Sequence, residues 1–190
     1  MNRPYFEDKT FEKTDFSEKA LSTGDYENCT FINCNFAGTD LSGTHFIECA
    51  FRGCNVSSAK IVKTAFKDVS FKDCKLAGVL FETCDAFLLS VYFENCTLNF
   101  SSFHKLKLKK TTFKNTTLQE VDFTETDLTG SVFDHCNLTG TVFEHTILEK
   151  VDFRTSFNYS IDPENNKIKK ARFSISGVPG LLDKYDIEIE

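Results

Sequence analysis

Tryptophan is absent from this 190-residue chain, proline occurs three times and methionine once. No run approaches the roughly 18 apolar residues of a membrane-spanning helix, because charges recur every few positions. Met1 to Lys13 carries Arg3, Glu7, Asp8, Lys9, Glu12 and Lys13 and no apolar segment, so a cytoplasmic location without a signal peptide is expected. Basic residues are also in the minority: 22 Lys and Arg against 28 Asp and Glu leave a formal net charge of −6. Nonspecific nucleic-acid binders need a cationic surplus to displace condensed counterions, so direct nucleic-acid binding is not expected. Motifs of catalysis are missing too: the sequence has no Gly-rich phosphate loop, no GxSxG and no HExxH. His45, His104, His135 and His145 fall in no His/Cys or Ser/His/Asp arrangement, and no carboxylate pair stands out for acid–base work. No enzymatic activity, cofactor or metal is expected.

What the chain has instead is phenylalanine, 21 in all. An apolar residue occupies every fifth position from Phe6 to Phe81, sixteen in succession. A second series of the same period runs from Phe93 to Phe153, and 17 of the 21 Phe lie on the two series. A period of five fits neither a helix nor a strand, so neither element can bury these side chains together. From Cys29 to Cys74, and again through the second series, a small or β-branched residue stands two before each centre, with Leu106 the exception. All eight cysteines (Cys29, Cys34, Cys49, Cys54, Cys74, Cys84, Cys96 and Cys136) hold this position, and their intervals of five do not assemble a tetrahedral site. They are expected to be reduced structural thiols, with Cys34, Cys54 and Cys74 stacked as a sulfur ladder.

Stretches such as Ala37-Gly38-Thr39-Asp40-Leu41 and Thr126-Asp127-Leu128-Thr129-Gly130 resemble the pentapeptide-repeat family. The resemblance implies an all-β fold, a right-handed quadrilateral β-helix with four pentads to a coil, here over residues 1–156. Residues 20 apart would then stack at about the ~4.8 Å strand spacing, giving a rod of roughly seven coils, about 35 Å long.

The five-residue register slips by two between Phe81 and Phe93. The segment Cys84-Asp85-Ala86-Phe87-Leu88-Leu89 leaves Phe87 or Leu89 without an inward place. Either a tucked bulge or a small projecting loop satisfies it, and Asp85, Phe87 and Leu89 are candidate contacts in the second case. Charge is uneven: residues 61–118 hold nine bases and five acids, including Lys105, Lys107, Lys109 and Lys110. Residues 119–155 hold Glu120, Asp122, Glu125, Asp127, Asp134, Glu144, Glu149 and Asp152 against Lys150 and Arg154. That stretch is either ordinary solvated surface or a negative face that a basic groove could accept in place of DNA.

The pattern lapses at Asn158, so residues 157–190 are expected to be a cap. Its apolar side chains Phe173, Ile175, Leu181, Leu182, Tyr185, Ile187 and Ile189 exceed what a lid requires, and a two-fold dimer would use the surplus. The tail, with Asn158-Tyr159, Ile161-Asp162-Pro163 and Ala171-Arg172-Phe173-Ser174, is similar to the Qnr and MfpA group. That resemblance implies a homodimeric, DNA-like rod that binds DNA gyrase or topoisomerase IV and relieves or mimics inhibition by quinolones or peptide toxins. Long projecting loops of that group are missing here, and the Lys105–Lys110 stretch is foreign to a DNA mimic. A scaffold for an unrelated protein partner is the alternative, since fold alone does not fix function.

Overall fold

The computed structural model describes residues 3–188. Each pentad forms one side of a square and four pentads close a coil, so that residues 20 apart pair in parallel. Strands Tyr5–Glu7, Asp25–Glu27, His45–Ile47 and Ala65–Lys67 make the first side. The second side is a seven-stranded parallel sheet that begins at Thr10–Glu12 and ends at Val132–Asp134. The third and fourth sides are held by single-residue bridges, such as Asn55↔Lys75↔Thr97↔Thr117 and Leu80↔Ser102↔Asp122↔Val142. A pentad can turn a corner because the outward residue two after its centre takes a left-handed backbone, as at Asn28 (φ 49°) and Gly38 (φ 64°).

The centres point inward and stack ring on ring. On the second side Phe11, Phe31, Phe51, Phe71, Phe93, Phe113, Phe133, Phe153 and Phe173 form one column with centroids 4.7–5.5 Å apart. Rings of the opposite second and fourth sides meet edge-on across the core, Phe113 and Phe123 at 5.9 Å and 79°. The small position has a second function beyond leaving room. Its hydroxyl or thiol donates to the carbonyl of the centre 23 residues back, Thr126 to Phe103 at 2.8 Å and Cys54 to Phe31 at 3.4 Å. Thr, Ser and Cys are therefore used because each is small and carries a donor that a buried carbonyl needs. The thiol ladder runs Cys34, Cys54, Cys74 and on to Cys96 across the slip, where the donor reaches 25 residues back to Phe71.

At the slip the register of the second side steps from 20 to 22 residues, Val69↔Val91 and Phe71↔Phe93. The two extra residues sit at the corner between the first and second sides. Ala86 holds the inward place on the first side yet is exposed and too small to fill it. Leu89 packs against the core instead, and Leu106 occupies a small position one coil further on.

The side-chain pattern lapses at Asn158, but the backbone ladder does not. Bridges Asn137↔Phe157, Ile147↔Lys167 and Asp152↔Arg172 carry the coil to residue 172, beyond the boundary expected at 156. Ile168 and Phe173 resume inward packing, and Tyr159 and Ile161 fill the gap between. Eight steps from Phe11 to Phe173 give a length of about 38 Å at ~4.8 Å each.

Candidate functional site

Stacked rings fill the interior of the rod, so the chemistry available to a partner lies on its surface. The eight acidic residues of 119–155 do not share one side. Asp122 and Glu144 lie on the fourth side with Glu120 and Glu125 at its corners, Asp127 and Glu149 on the first, Asp134 and Asp152 on the second, by their register positions. Several are neutralised locally. Lys105 Nζ lies 3.4 Å from Glu125 and Lys109 Nζ 3.1 Å from Asp127. Asp152 takes Arg154 at 2.8 Å and Arg172 at 3.3 Å, and the Arg154 hydrogen bonds hold its carboxyl below the usual pKa. Partial burial opposes ionisation of Asp127, but the Thr129 hydroxyl and amide and then Lys109 outweigh it and lower the pKa. Asp134 sits 2.7 Å from His135 Nδ1. Among the described residues Glu120, Asp122, Glu144 and Glu149 form no ion pair, so half of the acidic set remains available as negative surface.

The slip forms a low bulge. Asp85 Oδ1 accepts the Phe87 amide at 2.9 Å, which turns the chain outward. Phe87 and Leu88 are 67% and 63% exposed, whereas Leu89 turns back to the core. Of the three contacts expected here, Leu89 is thus withdrawn and its neighbour Leu88 takes its place at the surface.

The tail folds back over the last coil. Two short 3-10 segments, Ile175–Leu181 and Asp183–Tyr185, carry it. Gly177 and Gly180 let the tail lie flat on Tyr159, since a Cβ at Gly180 would collide with the Tyr159 carbonyl. The Ile161 amide donates to the Gly180 carbonyl at 2.8 Å, and Lys184 reaches Asp162 and Glu164, each at 2.7 Å. Phe173 and Leu181 pack against the core and act as lid. Ile175 is 93% exposed, and Val178, Tyr185 and Ile187 are also exposed, while Leu182 is half-buried. Ile189 lies outside the described residues. A groove of ≈ 590 Å³ runs between Asn158, Tyr159, Ser176 and Asp183. Sequence reasoning missed Asn166, buried 20 residues after Thr146, whose side chain accepts the Thr146 amide at 2.9 Å and donates to the Phe143 carbonyl at 2.8 Å. Its interval of 20 was the available signal.

A parallel, four-sided solenoid of five-residue units with one large and one small inward side chain defines a class of repeat protein. The chain belongs to the pentapeptide repeat family: the family's "Pentapeptide repeat region" matches residues 4–81, 25–103, 44–123 and 86–160. Among solved structures it is similar to a trypsin-treated point variant of QnrB1, described as a plasmid-mediated fluoroquinolone resistance protein. The two share 18% identity over 98% of this chain and 97% of that one, with a TM-score of 0.63. A second trypsin-treated point variant of QnrB1 matches at 19% identity over 100% of both chains, with a TM-score of 0.54. HetL, a pentapeptide repeat protein of the cyanobacterium Nostoc sp. strain PCC 7120, matches at 11% identity over 88% of this chain and 86% of that one, with a TM-score of 0.41. No curated protein matches.

Proposed function

We propose that this protein is a non-enzymatic DNA mimic that binds a type II topoisomerase, DNA gyrase or topoisomerase IV, and modulates it or protects it from quinolones or peptide toxins. The observation that carries the reading is the end-to-end likeness to QnrB1, which includes the tail as well as the repeats. The acids of 119–155, with Glu120, Asp122, Glu144 and Glu149 unpaired, supply the negative surface such a mimic needs. They act by Coulombic complementarity, so affinity falls as salt rises. The homodimer belongs to the same reading: Ile175, Val178, Tyr185 and Ile187 leave apolar surface at the end nearest the acidic coils. Two copies joined there by an interface of order 1,200 Å² would set the acids across a central saddle.

A gyrase supercoiling assay, with and without a quinolone, tests the reading. An effect at micromolar protein that weakens on raising salt supports it; no effect on gyrase or topoisomerase IV sinks it. Light scattering tests the dimer separately. Leu182→Asp with Ile187→Asp should give monomer with unchanged β-sheet circular dichroism, and a monomeric wild-type chain at tens of micromolar would remove the saddle. One observation favours a second reading, a scaffold for an unrelated protein. Glu125, Asp127 and Asp152 are ion-paired, and the acidic set spreads over three sides rather than one.

A further inference from the structure

Corners of this rod point outward from a left-handed backbone, and nearly all carry Gly, Asn, Asp, Lys, Glu, Ser or His. Leu88 (φ 58°) and Phe100 (φ 62°) are the apolar exceptions among the described corners, and Leu88 stands beside the equally exposed Phe87. Neither Phe87 nor Leu88 gains much from folding, since both remain largely in water. The bulge that holds them is nonetheless pinned at both ends. Asp85 accepts the Phe87 amide, the Ser90 amide donates to the Phe66 carbonyl at 3.0 Å, and Ser90 Oγ donates to Asp68 at 2.8 Å. A fixed backbone thus presents two apolar side chains outward, which lowers the ordering cost of any contact they make.

Lysines surround the pair. Lys67 Nζ stands 5.4 Å from the centre of the Phe87 ring. Lys109 and Lys110 hold the corresponding positions on the next coil, and Lys110 with Tyr92 walls a groove of ≈ 350 Å³ beside the bulge. Lys109 pairs with Asp127, but Lys67 and Lys110 have no acidic partner at ion-pair distance among the described residues. Asp85 and Asp68 are engaged by the Phe87 amide and the Ser90 hydroxyl, so the apolar tip with the two unpaired lysines beside it is complementary to an apolar side chain flanked by carboxylates.

We propose that the Phe87–Leu88 bulge and its lysines are a docking surface for a protein segment whose apolar residues are flanked by Asp and Glu. Its residues lie outside the acidic coils, so it goes beyond the topoisomerase reading and does not rest on it. An anionic lipid surface would meet the same chemistry locally. A flat membrane, however, would also face the acidic excess on both sides, nine acids to six bases in 1–60 and eight to two in 119–155. A narrow segment avoids both.

The test uses the full chain and a fluorescein-labelled synthetic peptide with a Leu-Phe pair between Asp and Glu residues, read by anisotropy. Saturable, salt-sensitive binding is expected. Phe87→Ser with Leu88→Ser should weaken it at least about tenfold, and so should Lys67→Glu with Lys110→Glu. Phe100→Ser, at another exposed apolar corner, should leave it unchanged. These side chains are exposed, so circular dichroism should show each variant folded. No binding at ~1 mM peptide, equal binding by the bulge variants, or equal binding of a peptide with Lys in place of the acids overturns the proposal. So does binding of phosphatidylserine vesicles without binding of the peptide. No topoisomerase enters the assay, so this result and the supercoiling result stand or fall separately.

Discussion

Replacing Phe113 by Ala would take one ring out of the middle of the stacked column. The ring is fully buried, sandwiched between Phe93 at 5.4 Å and Phe133 at 4.8 Å, with edge contacts to Phe103 at 6.2 Å and Phe123 at 5.9 Å. Truncating a buried Phe to Ala costs about 3–5 kcal/mol, because the surrounding coils are held by their ladders and cannot collapse into the hole. Within that figure each aromatic pair contributes roughly 0.5–1.5 kcal/mol. Phe6 is the control. It lies at the amino-terminal edge of the rod, is only half-buried, and stacks closely on Tyr26 alone, at 4.6 Å. Phe6→Ala should cost about 1 kcal/mol, half or less of what burying a whole Phe is worth. Each coil touches only its neighbours, so the central hole should also divide the rod into two units that unfold less cooperatively. Urea unfolding followed by far-ultraviolet circular dichroism measures both effects. The expected outcome is a large fall in midpoint with a shallower transition for Phe113→Ala and a small fall for Phe6→Ala. Equal losses, or less than about 1.5 kcal/mol for Phe113→Ala, would refute the stacked-core account.

Two further outcomes follow from the core and its lid. Burial pushes the thiols of Cys49, Cys84 and Cys136 and the Tyr26 hydroxyl up to about 12. A folded-state pKa above the unfolded one means stability is complete below the unfolded value near pH ~9 and declines as pH rises toward 12. Thermal melts should therefore fall progressively from about pH 9 upward, and a thiol reagent should label the native chain far more slowly than the urea-unfolded one. Fast labelling of all eight cysteines in the native state would contradict this. Gly180→Ala drives a Cβ into the Tyr159 carbonyl and should lift the tail at a cost of about 1–3 kcal/mol, seen as faster proteolysis between Ile175 and Tyr185. An unchanged digestion pattern would show that the tail does not depend on that close approach.

The period of five excluded an ordinary helix or strand and marked the inward residues over 16 and then 13 centres. That four pentads close each coil, so that residues 20 apart stack, came from the resemblance to the pentapeptide-repeat family. With four pentads to a coil, the Phe column and the sulfur ladder follow from counting. So does the existence of an irregularity at 82–92, because two extra residues cannot be absorbed without one. Which residues turn out there was not countable: Leu89 and Leu88 are the same residue type, and packing against the core decided which faces water. The tail shows the same division. Lost spacing at Asn158 predicted the end of the inward pattern, but backbone hydrogen bonds do not read side chains, and the ladder continued to Arg172. The acidic run is contiguous in sequence yet wraps three sides of the rod, and cations 20 residues distant, Lys105 and Arg172 among them, discharge part of it. Sequence sets the charge of each coil; only stacking, which brings every coil against the one before it, decides which charges remain unpaired.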